Sequence, residues 1–198
     1  MSNLKGEEIL SLLKKTGALM HGHFELSSGL HSPIYLQCAK ILQFPAYAFK
    51  ICKALAKTKE KEKIDVVIGA ATGGIIISFL IGYFLGVRSI FAERKNGGLV
   101  IKRGFEIKPG ERVLIVEDVI TTGGTILEMA DLIGENKAVA AGLCALINRS
   151  GNSENVGALD ITCLISIDIP TYELGACPLC KDKIPLLKPG SKGLIENR

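Results

Sequence analysis

Residues 113–125 read VLIVEDVITTGGT, the most informative stretch of this 198-residue chain. Its first four residues, Val113–Val116, form a continuous apolar run, which is typical of a strand in a parallel sheet covered on both faces. Two adjacent acids, Glu117 and Asp118, follow this run, and a loop rich in threonine and glycine comes next. The stretch therefore predicts a buried strand, a loop and the start of a helix, the repeating unit of an α/β fold.

The polar residues of this stretch predict a site for a sugar phosphate. Glu117 and Asp118 can accept hydrogen bonds from a ribose diol. The N–H groups at the start of the following helix, together with the helix dipole, favour a phosphate. The pair Gly123–Gly124 alone would indicate only a tight turn, but the acids and the three threonines within Thr121–Thr125 favour an anion site. Neither a G-x-x-x-x-G-K-[ST] motif nor a G-x-G-x-x-G motif opening a βαβ unit is present, which argues against P-loop and dinucleotide sites.

The rest of the chain extends the alternating pattern. Apolar runs predict strands at 64–69, 87–92, 138–147 and 160–167, and helices at 6–15, 46–56 and 75–85. Residues 35–43 are predicted as a strand, and residues 16–33 as loop. We expect a core that holds the sugar-phosphate site at 46–169, and a small hood made from the N-terminal segment 1–45 and the C-terminal tail 170–198. In such sheets ligands bind beyond the carboxyl ends of the strands.

Composition restricts the function classes. The chain is 47% hydrophobic with a mean hydropathy of +0.31, yet no apolar run approaches the length of a bilayer span. The N-terminus lacks a signal-peptide pattern and four of the six cysteines lie in apolar stretches, so a cytoplasmic protein with reduced thiols is expected. The net charge of +4 is spread along the chain, and its densest basic cluster, 57–63, alternates with acids. We therefore expect neither a membrane nor a nucleic acid as partner.

Several stretches together resemble a known family. Residues 113–125 resemble the phosphoribosyl pyrophosphate-binding motif of type I phosphoribosyltransferases. Further stretches are similar to the orotate branch of that family, and the resemblance covers nearly the whole chain. These stretches are Gly17–Leu19, His23–Gly29, His31–Tyr35, Phe91–Arg94, Ile101–Phe105, Asn148–Ser150, Cys177–Cys180 and Lys188–Ser191. The resemblance implies an α/β fold of the type I phosphoribosyltransferase kind: a central, mainly parallel sheet flanked by helices, with a small hood.

The resemblance also implies an activity, a cofactor and an assembly. It implies transfer of ribose 5-phosphate from phosphoribosyl pyrophosphate to orotate, with Mg²⁺, in a homodimer whose loop 95–110 reaches the partner's active site. The catalytic residues would be Lys102, Arg103 and Asp118. The residues expected to bind phosphoribosyl pyrophosphate are Thr72, Gly73, Arg94, Lys95, Glu117, Asp118, Val119, Ile120, Thr121, Thr122, Gly123, Gly124 and Thr125. Those expected to bind orotate are Ser28, Gly29, Thr121 and Arg149. The metal would be held mainly by the substrate, with Asp118 as a further ligand.

Two positions depart from the better-known bacterial pattern. Ser27 stands where that pattern has a lysine, and Thr72–Gly73 stands where it has an aromatic residue and a lysine. We therefore expect the pyrophosphate to be neutralised by Mg²⁺, by Arg94 and Lys95, and by the loop.

Alternatives remain open from the sequence. One is a purine-base phosphoribosyltransferase, and another is a non-catalytic regulator of the same fold that binds nucleic acid. His21, His23 and His31 lack the spacing of a helical zinc pair, so we interpret them as polar hood residues. Cys177 and Cys180 offer two zinc-type ligands where a structural site needs four, so a local structural knuckle is favoured over zinc shared across a dimer.

Overall fold

The computed structural model describes residue 4 and residues 6–26, 28–151 and 153–189. The helices are α1 (Gly6–Lys15), α2 (Ala39–Leu42), α3 (Pro45–Lys57), α4 (Gly73–Leu85), α5 (Gly124–Glu135) and α6 (Pro178–Lys181). The strands are β1 (Leu19–Glu25), β2 (His31–Leu36), β3 (Val66–Ala70), β4 (Arg88–Lys95), β5 (Gly98–Ile101), β6 (Arg112–Ile120), β7 (Val139–Asn148), β8 (Asn155–Val156) and β9 (Leu159–Ser166). The α/β fold with a mainly parallel sheet is confirmed.

The central sheet has seven strands in the order β5-β4-β3-β6-β7-β9-β8. Its five inner strands pair in parallel, and β5 and β8 add an antiparallel strand at each edge. Alternate residues of β6 supply the cores on the two faces. Leu114 and Val116 pack with α1, α3 and α4, whereas Val113 and Ile115 pack with α5. Burial on both faces explains why the strand is apolar throughout.

A close backbone contact fixes the end of β3 against the start of α4. A Cβ atom added to Gly69 would lie 2.4 Å from the carbonyl oxygen of Gly74, and one added to Gly74 would lie 2.9 Å from Cα of Gly69. Only glycine permits this approach. As a result, the chain leaves the sheet at Ala70 and begins α4 at Gly73, three residues later.

The N-terminal hairpin and the C-terminal tail lie together beside the sheet. β1 and β2 pair as an antiparallel hairpin, with Glu25 opposite His31. The tail contacts both strands through isolated bridges, from Leu187 to Phe24 and from Tyr172 to His31. Backbone hydrogen bonds therefore join the hairpin and the tail.

Two predictions for the N-terminal region are wrong. The predicted loop 16–33 contains β1, because Gly22 lies within a strand at an irregularity in the register and does not end it. The predicted strand 35–43 ends at Leu36, and α2 follows, because the chain must reverse direction before Pro45 opens α3.

The predicted loop 95–110 begins as a hairpin of β4 and β5, closed by Asn96–Gly97, whose positive φ angles suit a two-residue turn.

Among the described residues, no helix combines the length and the apolar character needed to cross a bilayer.

The contact at Gly69 generates a stability prediction. Replacing Gly69 with Ala should lower the free energy of unfolding by ~1–3 kcal/mol, because the methyl group meets backbone atoms that cannot move aside alone. Gly134→Ala is the matched control: it lies in α5, where an added Cβ meets nothing within 4 Å, and it should be neutral or stabilising by up to about 1 kcal/mol. Urea unfolding of both variants measures this, and equal stabilities would contradict it.

Candidate active site

The acid pair stands where β6 outruns its neighbour. β6 pairs with β3 only as far as Val116, opposite Gly69, but continues beside β7 to Ile120. Glu117 and Asp118 therefore lie past the last residue of β6 that pairs with β3, and both line a cleft. The sequence placed them just after the strand, whereas the structure keeps them within it, held by pairing to β7. This gives both carboxylates a rigid base.

Asp118 is held in close contact with the loop that follows β3. Its Oδ1 accepts a hydrogen bond from the N–H of Val119 at 2.8 Å. A Cβ atom on Gly73 would lie 2.7 Å from Oδ2 of Asp118. The absence of a side chain at Gly73 thus makes room for the carboxylate, which supplies a structural reason for glycine where the family pattern has a lysine.

Glu117 has a strongly perturbed acidity. Burial, followed by the negative charge of neighbouring Asp118, raises its pKa from 4.5 to about 8. Its Oε1 also accepts a hydrogen bond from the N–H of Asp118 at 3.1 Å. Perturbation by burial and a like charge in a cleft is characteristic of functional carboxyls.

The loop after the acids forms a small cavity of about 310 Å³. The residues that line it are Ala70, Ala71, Gly73, Arg94, Leu99, Glu117, Asp118, Val119, Ile120, Thr121, Thr122, Gly123, Gly124, Thr125 and Ile126. Gly123 takes a left-handed conformation, with φ of 80°, and turns the chain into α5. A Cβ there would also meet Val156 at 2.6 Å. The helix N-terminus therefore points its amides and its dipole at this cavity, as an anion site requires.

A larger cavity of about 1520 Å³ adjoins the first and lies beneath the hairpin. Ser28, Gly29 and Arg149 line it, and Asp118, Val119, Thr121 and Thr122 line both cavities. The structure thus places Thr121 between the two compartments. Burial raises the pKa of Tyr35, which also lines the larger cavity, and the charge of Asp118 raises it further.

Arg149 is held by a loop that a buried asparagine organises. The Arg149 N–H donates to the carbonyl oxygen of Ile120 at 2.8 Å. Oδ1 of Asn148 accepts hydrogen bonds from the N–H and the hydroxyl of Ser150, at 3.0 and 2.7 Å, and its amide donates to the carbonyl of Ser153 at 3.0 Å. Burial lowers the pKa of the guanidinium of Arg149. Among the described residues no carboxylate pairs with its guanidinium, and an arginine in such a setting is suited to binding an anion.

The cations predicted to handle pyrophosphate are engaged elsewhere or lie at the surface. Arg94 lines the small cavity and pairs with Glu128 at 3.0 Å. Arg103 makes two hydrogen bonds to Glu93, at 2.8 and 3.0 Å, which raise its pKa and lower that of Glu93. Lys95, Lys102 and Thr72 are exposed. These last three and Arg103 are not among the residues lining the two cavities.

Sequence reasoning missed several residues of the site. Tyr35 and Lys188 line the larger cavity, and Lys188 forms an ion pair with Glu25 at 2.8 Å. A polar aromatic in a short hairpin carries no sequence signal of its own, and a lysine near the C-terminus reads as a solvated charge. Asn148 adjoins a predicted residue and was open to detection as a polar residue ending an apolar strand. Ser27 lies outside the described residues, as do Gly190 and Ser191 of the predicted tail motif.

The sequence also treated the histidines and Cys177–Cys180 as unrelated. The structure brings His23, His31, Cys177 and Cys180 together, with their nitrogen and sulfur atoms all within 4.8 Å of one another. His21 is not part of this group.

Comparisons with known proteins agree with this geometry. A model of the phosphoribosyl transferase domain matches residues 37–174. The chain is 46% identical over 186 residues to an orotate phosphoribosyltransferase of Thermotoga maritima, covering 94% of this chain and 99% of that protein. It is 44% identical over 186 residues to one from Desulforamulus reducens, covering 94% and 97%.

Solved structures share the fold at lower identity. The structure of orotate phosphoribosyltransferase from Aeropyrum pernix matches with a TM-score of 0.70 at 22% identity, over 80% of this chain and 93% of that one. An adenine phosphoribosyltransferase from Thermoanaerobacter pseudethanolicus matches with a TM-score of 0.65 at 19% identity, over 78% of this chain and 99% of that one.

The raised pKa of Glu117 generates a pH prediction. A folded-state pKa above the unfolded value stabilises the fold below pH 4.5 and loses that contribution as pH rises through about 8. The free energy of unfolding of the wild type should therefore fall relative to Glu117→Gln across this window. Urea titrations at several pH values measure the difference. Glu93→Gln is the control of opposite sign, since the Glu93 pKa is lowered. Parallel wild-type and Glu117→Gln profiles would refute the assignment.

Proposed function

The chain belongs to the orotate phosphoribosyltransferase family, and we propose on that premise that it transfers ribose 5-phosphate from phosphoribosyl pyrophosphate to orotate. The products are orotidine 5′-monophosphate and pyrophosphate, which makes this a step of de novo pyrimidine synthesis. One observation carries the proposal: the cavity at the start of α5 and the larger cavity that Arg149 lines share Asp118 and Thr121. The two halves of a nucleotide need such neighbouring compartments.

Each substrate group has a matching partner in this arrangement. The 5-phosphate fits the amides of Thr122–Thr125 at the start of α5, and the ribose hydroxyls fit the carboxylates of Glu117 and Asp118. Orotate carries a carboxylate, which a planar guanidinium binds through two parallel hydrogen bonds, and Arg149 lies in the larger cavity. Ser28 and Gly29 of the hairpin turn line the same cavity and would cover the base.

The proposed reaction needs no covalent nucleophile on the protein. The bond from the anomeric carbon to the pyrophosphate oxygen breaks, and a bond from that carbon to a ring nitrogen of orotate forms. The transition state carries positive charge on the ribose ring, so the carboxylates of Glu117 and Asp118 stabilise it from their fixed positions on β6. The site would also lower the reaction barrier by holding the two substrates in the orientation for in-line attack, one on each side of Thr121.

The donor set suits Mg²⁺ bound with the pyrophosphate. Asp118 and Glu117 offer carboxylate oxygens at the mouth of the cavity, the ligand type that this hard cation prefers alongside substrate phosphates. When bound, the ion would neutralise charge on the leaving pyrophosphate. Asp118 would hold it through Oδ2, and the positive charge would favour the ionised form of Glu117.

The loop cations would act after a rearrangement. Arg103 has a positive φ of 59° and lies over the Phe91 ring at 5.9 Å, tied to Glu93. Exposed ion pairs of this kind contribute little free energy, so Arg103 can exchange Glu93 for pyrophosphate at a small free-energy cost. We propose that Lys102 and Arg103 move onto the leaving group when the segment that follows β5 closes, as catalytic loops do in other enzymes.

A homodimer is the second part of the proposal. Ile76, Phe79 and Tyr83 recur at helical spacing on α4 and are 44%, 66% and 66% exposed, and Phe49 of α3 lies beside them. An apolar aromatic face of this kind is costly in water and fits burial against a second copy of the chain.

A cytoplasmic location is the third part of the proposal. All six cysteines are free of disulfide bonds, and thiols stay reduced in the cytoplasm.

A base-specific assay tests the proposed reaction. The purified protein should consume orotate only with both phosphoribosyl pyrophosphate and Mg²⁺, and adenine should release no pyrophosphate. Arg149→Lys should raise the KM for orotate by about tenfold or more, because a lysine cannot make the paired contact. The KM for phosphoribosyl pyrophosphate should change little. Arg88→Lys, at a surface ion pair with Glu111, is the matched control. Turnover of adenine with orotate ignored would overturn the assignment.

Mixing two inactive variants tests the loop and the dimer together. Lys102→Ala should lose turnover with little loss of orotate affinity, and Asp118→Asn should lose turnover through the core site. If the loop acts across a dimer, mixed dimers regain one complete site and the mixture recovers roughly a quarter of wild-type activity. No recovery after the subunits have demonstrably exchanged would place the loop in its own subunit, and a monomer by light scattering would reject the dimer.

A further inference from the structure

Four metal-binding side chains converge at the junction of the hairpin and the tail. His23 lies on β1 and His31 on β2. Cys177 immediately precedes α6, and Cys180 lies within it. Their donor atoms all lie within 4.8 Å of one another. His23, His31 and Cys177 are each at most 2% exposed. We propose that these residues bind a structural Zn²⁺ that fastens the C-terminal tail to the N-terminal hairpin within one chain.

The distances approach those of a tetrahedral site. Zinc bonds of about 2.0–2.1 Å to nitrogen and about 2.3 Å to sulfur separate the ligands by about 3.6 Å for nitrogen–sulfur pairs and about 3.3 Å for nitrogen–nitrogen pairs. Nε2 of His23 lies 3.5 Å from Sγ of Cys177 and 3.7 Å from Sγ of Cys180, and Nδ1 of His31 lies 3.3 Å from Sγ of Cys180. The two ring nitrogens are 2.8 Å apart and would separate by about 0.5 Å to admit the ion.

The hairpin brings together two histidines that are eight positions apart in the sequence. Glu25 pairs directly with His31, and His23 lies two residues before Glu25 on the same strand. His23 itself lies in the irregular part of the register between His21 and Phe24, and its Nε2 is 2.8 Å from Nδ1 of His31, so the two rings meet across the hairpin. The two cysteines have the two-residue separation common among zinc ligands.

Contacts around the ligands orient them for a metal. Nδ1 of His23 lies 2.8 Å from the carbonyl oxygen of Ile184. A proton donated there leaves the lone pair of Nε2 facing the cluster, the arrangement that a zinc-binding histidine needs. The backbone of His31 exchanges two hydrogen bonds with Tyr172, both 2.8 Å, and the Leu187 N–H donates to the carbonyl of His23 at 2.8 Å. The tail thus holds both histidines from either side of the cysteines.

Electrostatics favours an ion over an empty cluster. Two thiolates balance the charge of Zn²⁺, so the loaded site is neutral and its burial carries no net charge. Within the cluster, the two rings share one hydrogen bond with each other, and their other contacts are to thiols, which are weak partners. A closed set of four protein ligands, largely shielded from water, is characteristic of structural rather than catalytic zinc.

The site would stabilise one wall of the larger cavity. Beyond His23 the hairpin continues to Ser28 and Gly29, and beyond Cys180 the tail continues to Lys188, all of which line that cavity. The zinc proposal rests only on the cluster and does not depend on the reaction or the substrate.

Metal content of the full chain tests the proposal. Protein produced in zinc-supplemented medium should contain one zinc per chain, as measured by inductively coupled plasma mass spectrometry. Cys180→Ser and His31→Ala should each lose it, whereas Cys163→Ser, which removes a cysteine of β9, should retain it. Zinc-free wild type, or one zinc per two chains, would overturn the proposal.

Cobalt substitution covers variants that fail to fold. After chelation, Co²⁺ added to the wild-type protein should give the intense visible bands of tetrahedral cobalt and a near-ultraviolet thiolate-to-cobalt band, and Zn²⁺ should abolish both. Weak octahedral cobalt absorption, or an unchanged spectrum in folded Cys180→Ser, would refute these ligands. The chelated protein should also unfold at a lower temperature, with recovery on adding zinc.

Discussion

The structure depends on the backbone contact between Gly69 and Gly74. Because α4 starts almost on top of the end of β3, the pairing of β3 with β6 stops at Val116, and β6 runs on for four more residues. The difference in length creates the cleft, and the continued pairing of β6 with β7 fixes Glu117 and Asp118 at its edge. The contact thus determines how far the two acids extend beyond the paired part of β3. The lack of a side chain at Gly73 leaves room for the carboxylate of Asp118.

The cleft brings two acidic side chains close together, and the positions of the nearby cations matter for that reason. Two adjacent carboxyls line the cavity at the start of α5, and burial together with the charge of Asp118 raises the pKa of Glu117. The nearby guanidinium groups of Arg94 and Arg103 rest on Glu128 and Glu93. In the proposed reaction these exposed pairs exchange for pyrophosphate, so the cations enter the site only with substrate. Arg149 differs because it lies half-buried in the larger cavity, which is the proposed base pocket.

The two ends of the chain depend on each other. The hairpin of β1 and β2 is small, and an isolated two-stranded hairpin is marginally stable in water. Here the tail supplies further hydrogen bonds at Tyr172 and Leu187. The proposed zinc would link the same two segments by metal–ligand bonds, which would keep the roof of the base pocket in place while the segment after β5 moves.

The sequence by itself determined the α/β class, the order of the core elements and the sugar-phosphate motif. These follow from local patterns, since apolar runs, helical spacing and the VLIVEDVITTGGT stretch lie within short windows of the chain. Only the tertiary structure decided the rest. The hairpin at β1 was missed because its glycines resemble loop punctuation, and the joining of His23 and His31 to Cys177 and Cys180 spans about 150 residues. Such contacts arise from packing between distant segments, and nothing in the local sequence encodes them.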